Sequence, residues 1–361
     1  MSRGLIALIC AVGLAAAQWP AAAESGNDAL APSTSVDDAR TGPLHTATLI
    51  TNQLDQARLF FVDGMGLTMT GPHRLPDGTR DQLRALWGIP APVQFEVYRL
   101  NRPGAPGAIQ VRLLVIDRAT PAIHASWRPT ELGPFSLGFP TDDLPSLDLK
   151  LRRMGFGAMN PMSVYEVPRP DGTKYPISET IFTAPEFLHA VGINRGDGMA
   201  QLGPVDPDTG LGGPAYSAQV VADSDAQLKF YTDVLGMELR SDREWKSSGS
   251  TGAMGNPDGA VFRFSIVYSM GATSGHLLFV HFRNVDTTDT GVAPRPPNRG
   301  LVMWSFPVRD LDQTREALQK AGTTVVHEPV ELDTPSLGRH RAMTVLDPNG
   351  MLIELFERLS P

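Results

Sequence analysis

Apolar and polar positions along the chain follow two alternating patterns, and the alternation occurs four times. A short apolar run such as HTATLIT (45–51) comes first, and a segment with apolar residues at helical spacing follows and ends at a glycine. Apolar runs bounded by turn residues come next and predict antiparallel strands. These runs occupy residues 93–100, 109–116, 179–184, 186–193, 261–269, 276–282, 341–346 and 351–357. The pattern predicts four units, each with one strand, one helix and about three further strands.

Two sequence blocks occur twice. DQARLFFVDGMGLTM (55–69) recurs as DAQLKFYTDVLGMEL (225–239), at an offset of 170 positions, and the block that starts at Phe139 recurs from Phe306, at an offset of 167. Nearly equal offsets indicate a duplicated half of about 170 residues. We expect two domains, 43–196 and 214–361, joined by a Gly/Pro/Asp-rich linker at 197–213.

Aspartates precede the helices of the second pair of blocks. Asp143 and Asp310 stand where those helices are predicted to begin, a position at which a carboxylate accepts hydrogen bonds from free backbone N–H groups. We therefore expect each residue to be a helix N-cap or an acid of the first helical turn.

The N-terminal residues predict export. Residues 1–23 combine Arg3, an apolar run and an Ala-Ala-Ala cleavage site, which is typical of a signal peptide, and 24–42 predict a flexible leader. We expect a periplasmic or secreted protein with no membrane segment after signal removal. The only cysteine is Cys10, so cysteine chemistry is excluded from the mature chain. A net charge of −8 disfavours nucleic acid as a partner.

Two motifs resemble the vicinal oxygen chelate superfamily, which includes glyoxalase I, bleomycin resistance proteins and extradiol dioxygenases. They are FYTDVLGMEL (230–239) and LDPNGMLIELFE (346–357). The resemblance implies an α+β fold of four βαβββ modules that form two tandem domains, each a curled sheet around a ligand. In metal-using members, ligands come from the first and last strands of each module.

The resemblance implies a metal ligand and catalytic residue at Glu354, since the family's glutamate stands at this position of the last strand. Strand alternation places Glu354 on one face with Leu352 and Phe356, where a carboxylate is costly to bury without a partner. His45 opens the first strand, although counting from Phe60 places Thr46 at the usual ligand position. A solvent-facing or capping role for His45 stays open.

A second histidine and one pair of polar residues complete the candidates. His189 lies in the first half's counterpart of the closing strand, so we expect it to face His45 in one cup. Glu96 and Tyr98 alternate on one strand face and are candidate substrate contacts. The second half has Ala215 or Tyr216 where a first ligand is expected.

These features leave two main functions open. One is a lyase, isomerase or dioxygenase that uses a divalent metal (Fe, Mn, Zn or Ni) on a small oxygen-rich or aromatic molecule. The alternative is a metal-free protein that binds or sequesters a small molecule, as bleomycin resistance proteins do. A third possibility is a largely structural or interaction protein that kept the fold and lost the site. Four units in one chain are enough to complete both cups, and either a monomer or a homodimer is compatible with the sequence.

Overall fold

The computed structural model describes residues 39–76, 78–169, 172–196, 198–247 and 256–359. The predicted signal peptide and residues 24–38 of the predicted leader lie outside these residues. Within them, no helix has both the length and the apolar character needed to cross a membrane.

Four strand–helix–strand units are present, as the apolar pattern predicts. The first contains β1 (Thr46–Thr51), α1 (Leu54–Arg58, continued by a π-helical turn at Leu59–Gly64), β2 (Thr68–Thr70), α2 (Thr79–Leu86), β3 (Phe95–Asn101) and β4 (Gln110–Ile116). The second contains β5 (Gly133–Pro140), α3 (Leu144–Arg153), β6 (Ser163–Pro168), β7 (Lys174–Thr183), a 3-10 turn (Pro185–Phe187) and β8 (His189–Arg195). The linker contains β9 (Val205–Asp206) and β10 (Leu211–Gly212). The third contains β11 (Tyr216–Val220), α4 (Ser224–Lys229, continued by a π-helical turn at Phe230–Val234), β12 (Glu238–Lys246), β13 (Val261–Tyr268) and β14 (His276–Phe282). The fourth contains β15 (Gly300–Pro307), α5 (Leu311–Lys320), β16 (Val325–Thr334), β17 (Gly338–Leu346) and β18 (Leu352–Arg358).

The units pair across the two sequence halves. Sheet A has the strand order β16-β17-β18-β15-β1-β4-β3-β2 and joins the first unit to the fourth. Sheet B has the order β12-β13-β14-β11-β5-β8-β7-β6 and joins the second unit to the third. The four-module fold with two eight-stranded sheets is therefore confirmed, and one chain completes both sheets. The expectation that each half closes its own cup is wrong, because β1 pairs with β15 and β5 with β11.

Helices begin at aspartates and end at glycines where the sequence predicts. Asp143 accepts a hydrogen bond from the backbone N–H of Ser146, and Asp310 accepts one from Gln313, so both predicted N-caps are confirmed. Gly322 follows α5 with a φ of 71°, a left-handed conformation that glycine adopts without a steric penalty.

The main core lies between the two sheets. Leu49, Trp304 and Leu355 of sheet A join Phe279 of sheet B in this core. The Trp304 indole N–H donates to the Ser217 hydroxyl across the sheet boundary, at 3.0 Å. The opposite faces of the sheets therefore turn away from each other and form two separate concave surfaces.

Helix α2 covers the concave face of sheet A. Arg80 donates to the carbonyl of Phe95 on β3, and Gln82 donates to the carbonyl of Glu331 on β16. Leu83 and Leu86 pack into the apolar cluster of this face. The helix therefore joins strands near the two edges of the curled sheet and closes the cup that they form.

Residues 39–42 of the predicted leader are fixed to the fold. Arg40 donates to the carbonyl of Val234, and the Thr41 hydroxyl donates to that of Leu235. The backbone N–H of Gly42 donates to the carbonyl of Pro307. Residues 39–42 therefore belong to the folded part of the chain and not to a flexible leader, because they find hydrogen-bond partners in the third and fourth units.

Candidate functional site

A buried ion pair lies in the middle of cup A, the concave face of sheet A. Both terminal nitrogens of Arg112 donate to Oε2 of Glu354 at 3.0 Å. The indole N–H of Trp87 donates to Oε1 of the same carboxylate at 2.8 Å. The Arg112 guanidinium also stands 4.7 Å from the centre of the Trp87 ring, a cation–π distance. Both carboxylate oxygens of Glu354 are therefore occupied by donors from other strands and from the end of α2.

Burial and charge act on Glu354 in opposite directions. The side chain of Glu354 is 2% exposed and that of Arg112 is 10% exposed. Burial alone would raise the pKa of Glu354, but the adjacent charge of Arg112 and the hydrogen bond from Trp87 hold that pKa below its usual value. The pair is therefore ionised at neutral pH, with the carboxylate acting as an acceptor only.

Strand register places two further polar side chains, Thr48 and Ser305, beside this pair. Thr48 of β1 pairs with Arg112 of β4, and Ser305 of β15 pairs with Glu354 of β18. These are the first and last strands of two modules, the strands from which the resemblance implies metal ligands. Only Glu354 among the four is a carboxylate or an imidazole, the groups that bind Fe, Mn, Zn or Ni well.

The residues around Glu354 do not fit a metal centre. In the described ranges, no three His, Cys, Asp or Glu side chains are grouped so as to hold a metal ion. The one central carboxylate already pairs with a guanidinium, whose fixed positive charge opposes a nearby metal cation. The donor set of cup A therefore differs from the one that the resemblance implies.

His45 lies at the end of β1, beside this cup. Its ring meets Phe356 edge to face at 5.3 Å, and Arg358 donates to its Nε2 at 3.3 Å. Burial and then the charges of Arg358 and Arg112 lower the pKa of His45 to about 4. In the neutral ring, Nε2 accepts from Arg358, so Nδ1 carries the proton. Nδ1 donates it to the Thr46 hydroxyl, at 2.8 Å. Both ring nitrogens are engaged.

His189 belongs to the other sheet. It opens β8, where its Nε2 lies 3.0 Å from the carbonyl of Trp127 and its ring contacts Phe135. Burial lowers the pKa of His189 to about 4. The expectation that His189 faces His45 is wrong, because β1 and β8 lie in different sheets. The predicted metal set of His45, His189 and Glu354 is not assembled.

Glu96 and Tyr98 lie on β3. Tyr98 packs in the main core, borders the cleft of cup A and donates its phenol to Oε2 of Glu96 at 2.9 Å, while the Glu96 side chain is exposed. Burial and the bond to Glu96 raise the pKa of Tyr98. Contact of either residue with a substrate stays a prediction.

The cleft above the ion pair is narrow. It has about 40 Å³ of free volume, which is room for a few water molecules at about 10–15 Å³ each. Its wall combines apolar side chains of α2 with His73, Gln110 and His340, and the β16–β17 turn closes one side. A ligand of more than a few atoms therefore requires α2 or this turn to move.

Sequence reasoning missed Arg112 and Trp87. Arg112 lies in IQVRLLVI, where alternation places it on one strand face with Leu114. The criterion that identified Glu354, a charge on an apolar strand face, applies equally to Arg112. Trp87 carried no such signal, because its role depends on where α2 is placed by the fold.

Comparisons with known proteins agree with this fold. Residues 213–355 match the model of the Glyoxalase/Bleomycin resistance protein/Dioxygenase superfamily. Glyoxalase I from Zea mays superposes with a TM-score of 0.54 at 13% identity, over 88% of this chain and 92% of that one. A variant of the maize enzyme gives 0.56 at 14% identity, over 88% and 92%. A dioxygenase candidate from Bacillus subtilis gives 0.50 at 14% identity, over 89% and 87%.

No curated protein sequence matches the chain. The family match and the structural matches confirm the resemblance to the vicinal oxygen chelate superfamily. At these levels of identity the solved structures show a common fold, that of glyoxalase and dioxygenase-like proteins.

Proposed function

We propose that cup A binds a small molecule without a metal ion, which is the second of the functions that the sequence leaves open. The observation that supports this proposal is the buried ion pair of Arg112 with Glu354, in which both terminal guanidinium nitrogens donate to Oε2. The pair stands on the strands from which metal-using relatives of this fold take their ligands. Arg112 supplies a permanent cation there, since a guanidinium keeps its proton at any physiological pH.

Energetic reasoning favours the pair over a metal at Glu354. A metal ion bound to this carboxylate would have to displace Arg112 and leave its guanidinium buried without a partner. Separating a buried pair costs about 3–5 kcal/mol. His45, the nearest predicted ligand, offers no free nitrogen while Arg358 and Thr46 hold both positions of its ring.

The remaining surface of cup A suits an organic ligand. Binding sites for small molecules are concave and mostly apolar, with a few polar groups that orient the ligand. Leu75, Leu83 and Leu337 form apolar wall, and Gln110 and His340 add polar groups. We include export to the periplasm or the exterior in the proposal, on the strength of residues 1–23. A binding or sequestering role is compatible with that location.

Metal content and ligand binding test the proposal together. The mature protein is reconstituted with Fe, Mn, Zn or Ni, and bound metal is measured by elemental analysis beside Glu354→Gln and His45→Ala. We expect substoichiometric metal in all three proteins, and a rise in melting temperature with small organic ligands. One metal per chain that is lost in Glu354→Gln overturns the proposal.

A further inference from the structure

Arg99 is the second arginine of cup A, and it faces the first across two strands. Register pairs Arg99 of β3 directly with Arg112 of β4. Both side chains line the same cleft. Like charges directly opposite each other on neighbouring strands are destabilising unless another group neutralises them. Glu354 neutralises Arg112 only.

No acid neutralises Arg99 within the described residues. Arg99 is half-buried and takes part in no salt bridge there, and its Nε is buried without a hydrogen-bond partner. The charge of Arg99 acts on a neighbouring group: burial lowers the pKa of His73, and the charge of Arg99 lowers it further. Glu96 is near in sequence, but alternation separates it from the face of Arg99, and its carboxylate accepts from Tyr98.

The charge of the cleft opposes that of the whole chain. Arg99 and Arg112 contribute two positive charges and Glu354 one negative charge, which leaves +1 in a cleft of a protein whose net charge is −8. Gln110 also lines the cleft, and its side-chain amide forms no hydrogen bond within the described part of the chain. A half-buried guanidinium beside a free amide is a suitable partner for a carboxylate or phosphate group, which accepts two parallel hydrogen bonds from arginine.

We propose that Arg99 anchors a small oxyanion, either a carboxylate or a phosphate group, as the charged end of the ligand in cup A. This inference rests on the proposed function and adds the chemical class of the ligand. Arg112 and Glu354 form the polar floor beneath the anion, and the anion supplies the counter-charge that Arg99 lacks.

The experiment compares anions with neutral molecules of the same shape. Acetate is titrated against acetamide, benzoate against benzamide, and inorganic phosphate alone, all at constant ionic strength, with tryptophan fluorescence as the readout and Trp87→Phe to assign the signal. We expect saturable binding of at least one oxyanion and no binding of its amide. Binding should weaken by about tenfold or more in Arg99→Gln, since a hydrogen bond to a charged group is lost. It should be partly retained in Arg99→Lys and unchanged in Arg153→Gln, which removes an exposed arginine of α3 on the other sheet.

Each other outcome contradicts the inference. Equal binding of acid and amide, or unchanged binding in Arg99→Gln, overturns the anion anchor and leaves a neutral ligand for the proposed function. Failure of every probe overturns the inference too, and stoichiometric metal in the same protein overturns the proposed function with it. Stability supplies an independent check, because Arg99→Gln relieves a repulsion and should leave the urea midpoint unchanged or higher. A large loss of stability would show that Arg99 has a structural partner.

Discussion

Replacing Arg112 with methionine tests what the ion pair contributes. The substitution leaves Glu354 as a lone carboxylate in a site where its side chain is 2% exposed. Removing one partner of a buried pair costs about 3–5 kcal/mol, and the lost contact with the Trp87 ring adds about 0.5–2 kcal/mol. We expect Arg112→Met to lower the free energy of unfolding by about 3.5–7 kcal/mol at neutral pH.

A double-mutant cycle separates this effect from simple loss of packing. Glu354→Leu alone should cost a similar amount, because it leaves Arg112 buried without a counter-charge. The double variant should lose only about 1–3 kcal/mol, mainly from the Trp87 N–H that no longer has an acceptor. Urea unfolding followed by circular dichroism measures all four proteins. Additive losses in the double variant would refute the reasoning.

The pH dependence of Arg112→Met gives a second check on the same prediction. In the unsubstituted protein the pKa of Glu354 is lowered, so its contribution to stability is present above the unfolded pKa and is lost as the pH falls through the folded value. Without Arg112, burial raises the pKa of Glu354. The cost of burying an unpaired carboxylate is then complete only at a pH above that raised pKa. The difference in free energy of unfolding between the two proteins should therefore become smaller from pH 7 toward pH 4. A constant difference would contradict a charge-based origin.

Two further predictions concern the cover of cup A and the buried histidines. Trp87→Phe removes one hydrogen bond to a charged group, so we expect a loss of about 1.5–3 kcal/mol and faster hydrogen exchange of α2 amides. Trp127→Phe, in the other half of the fold, should leave α2 exchange unchanged, and equal exchange in both variants would contradict the role of Trp87. Burial lowers the pKa of His189 to about 4 and that of His276 to about 3, so the stability that each contributes as a neutral group is lost as the pH falls from about 6.5. At pH 5, about 1.5 units below the usual pKa of histidine, each histidine lowers the free energy of unfolding by about 2 kcal/mol, at about 1.36 kcal/mol per unit. The pKa of Asp347 is raised to about 6, which offsets part of this loss. His276→Gln should flatten the fall of the urea midpoint between pH 7 and pH 5, and an unchanged slope would contradict this assignment.

The sequence predicts local structure well because strand and helix periods are read within a few residues. The four units, the caps at Asp143 and Asp310 and the alternation around Glu354 follow from such short-range patterns. The pairing of units depends on packing between distant segments, which no local pattern encodes. The site shows the same limit, because Arg112 and Glu354 are 242 positions apart and meet only after the first and fourth units pair.

The interleaved pairing gives a direct comparison of the two cups. At the offset of 170, Arg112 of sheet A corresponds through the β1–β4 and β11–β14 ladders to Leu278 of sheet B. At the offset of 167, Glu354 corresponds through the β15–β18 and β5–β8 ladders to Val191. Both members of the pair are therefore replaced by apolar residues in cup B, the concave face of sheet B.

Physical chemistry explains why the two positions differ together. One charge without the other would leave a buried ion unpaired, whereas an apolar pair packs without that penalty. In sheet B the ring of Tyr216 fills the adjacent space, so close to Gly138 that a side-chain carbon there would lie 1.9 Å from it. Tyr216 corresponds to Thr46, which lines the cleft in cup A. At the two positions that match the ion pair, the concave face of sheet B therefore has apolar residues beside a tyrosine ring, whereas cup A has a charged pair in an open cleft, which is why we assign ligand binding to cup A.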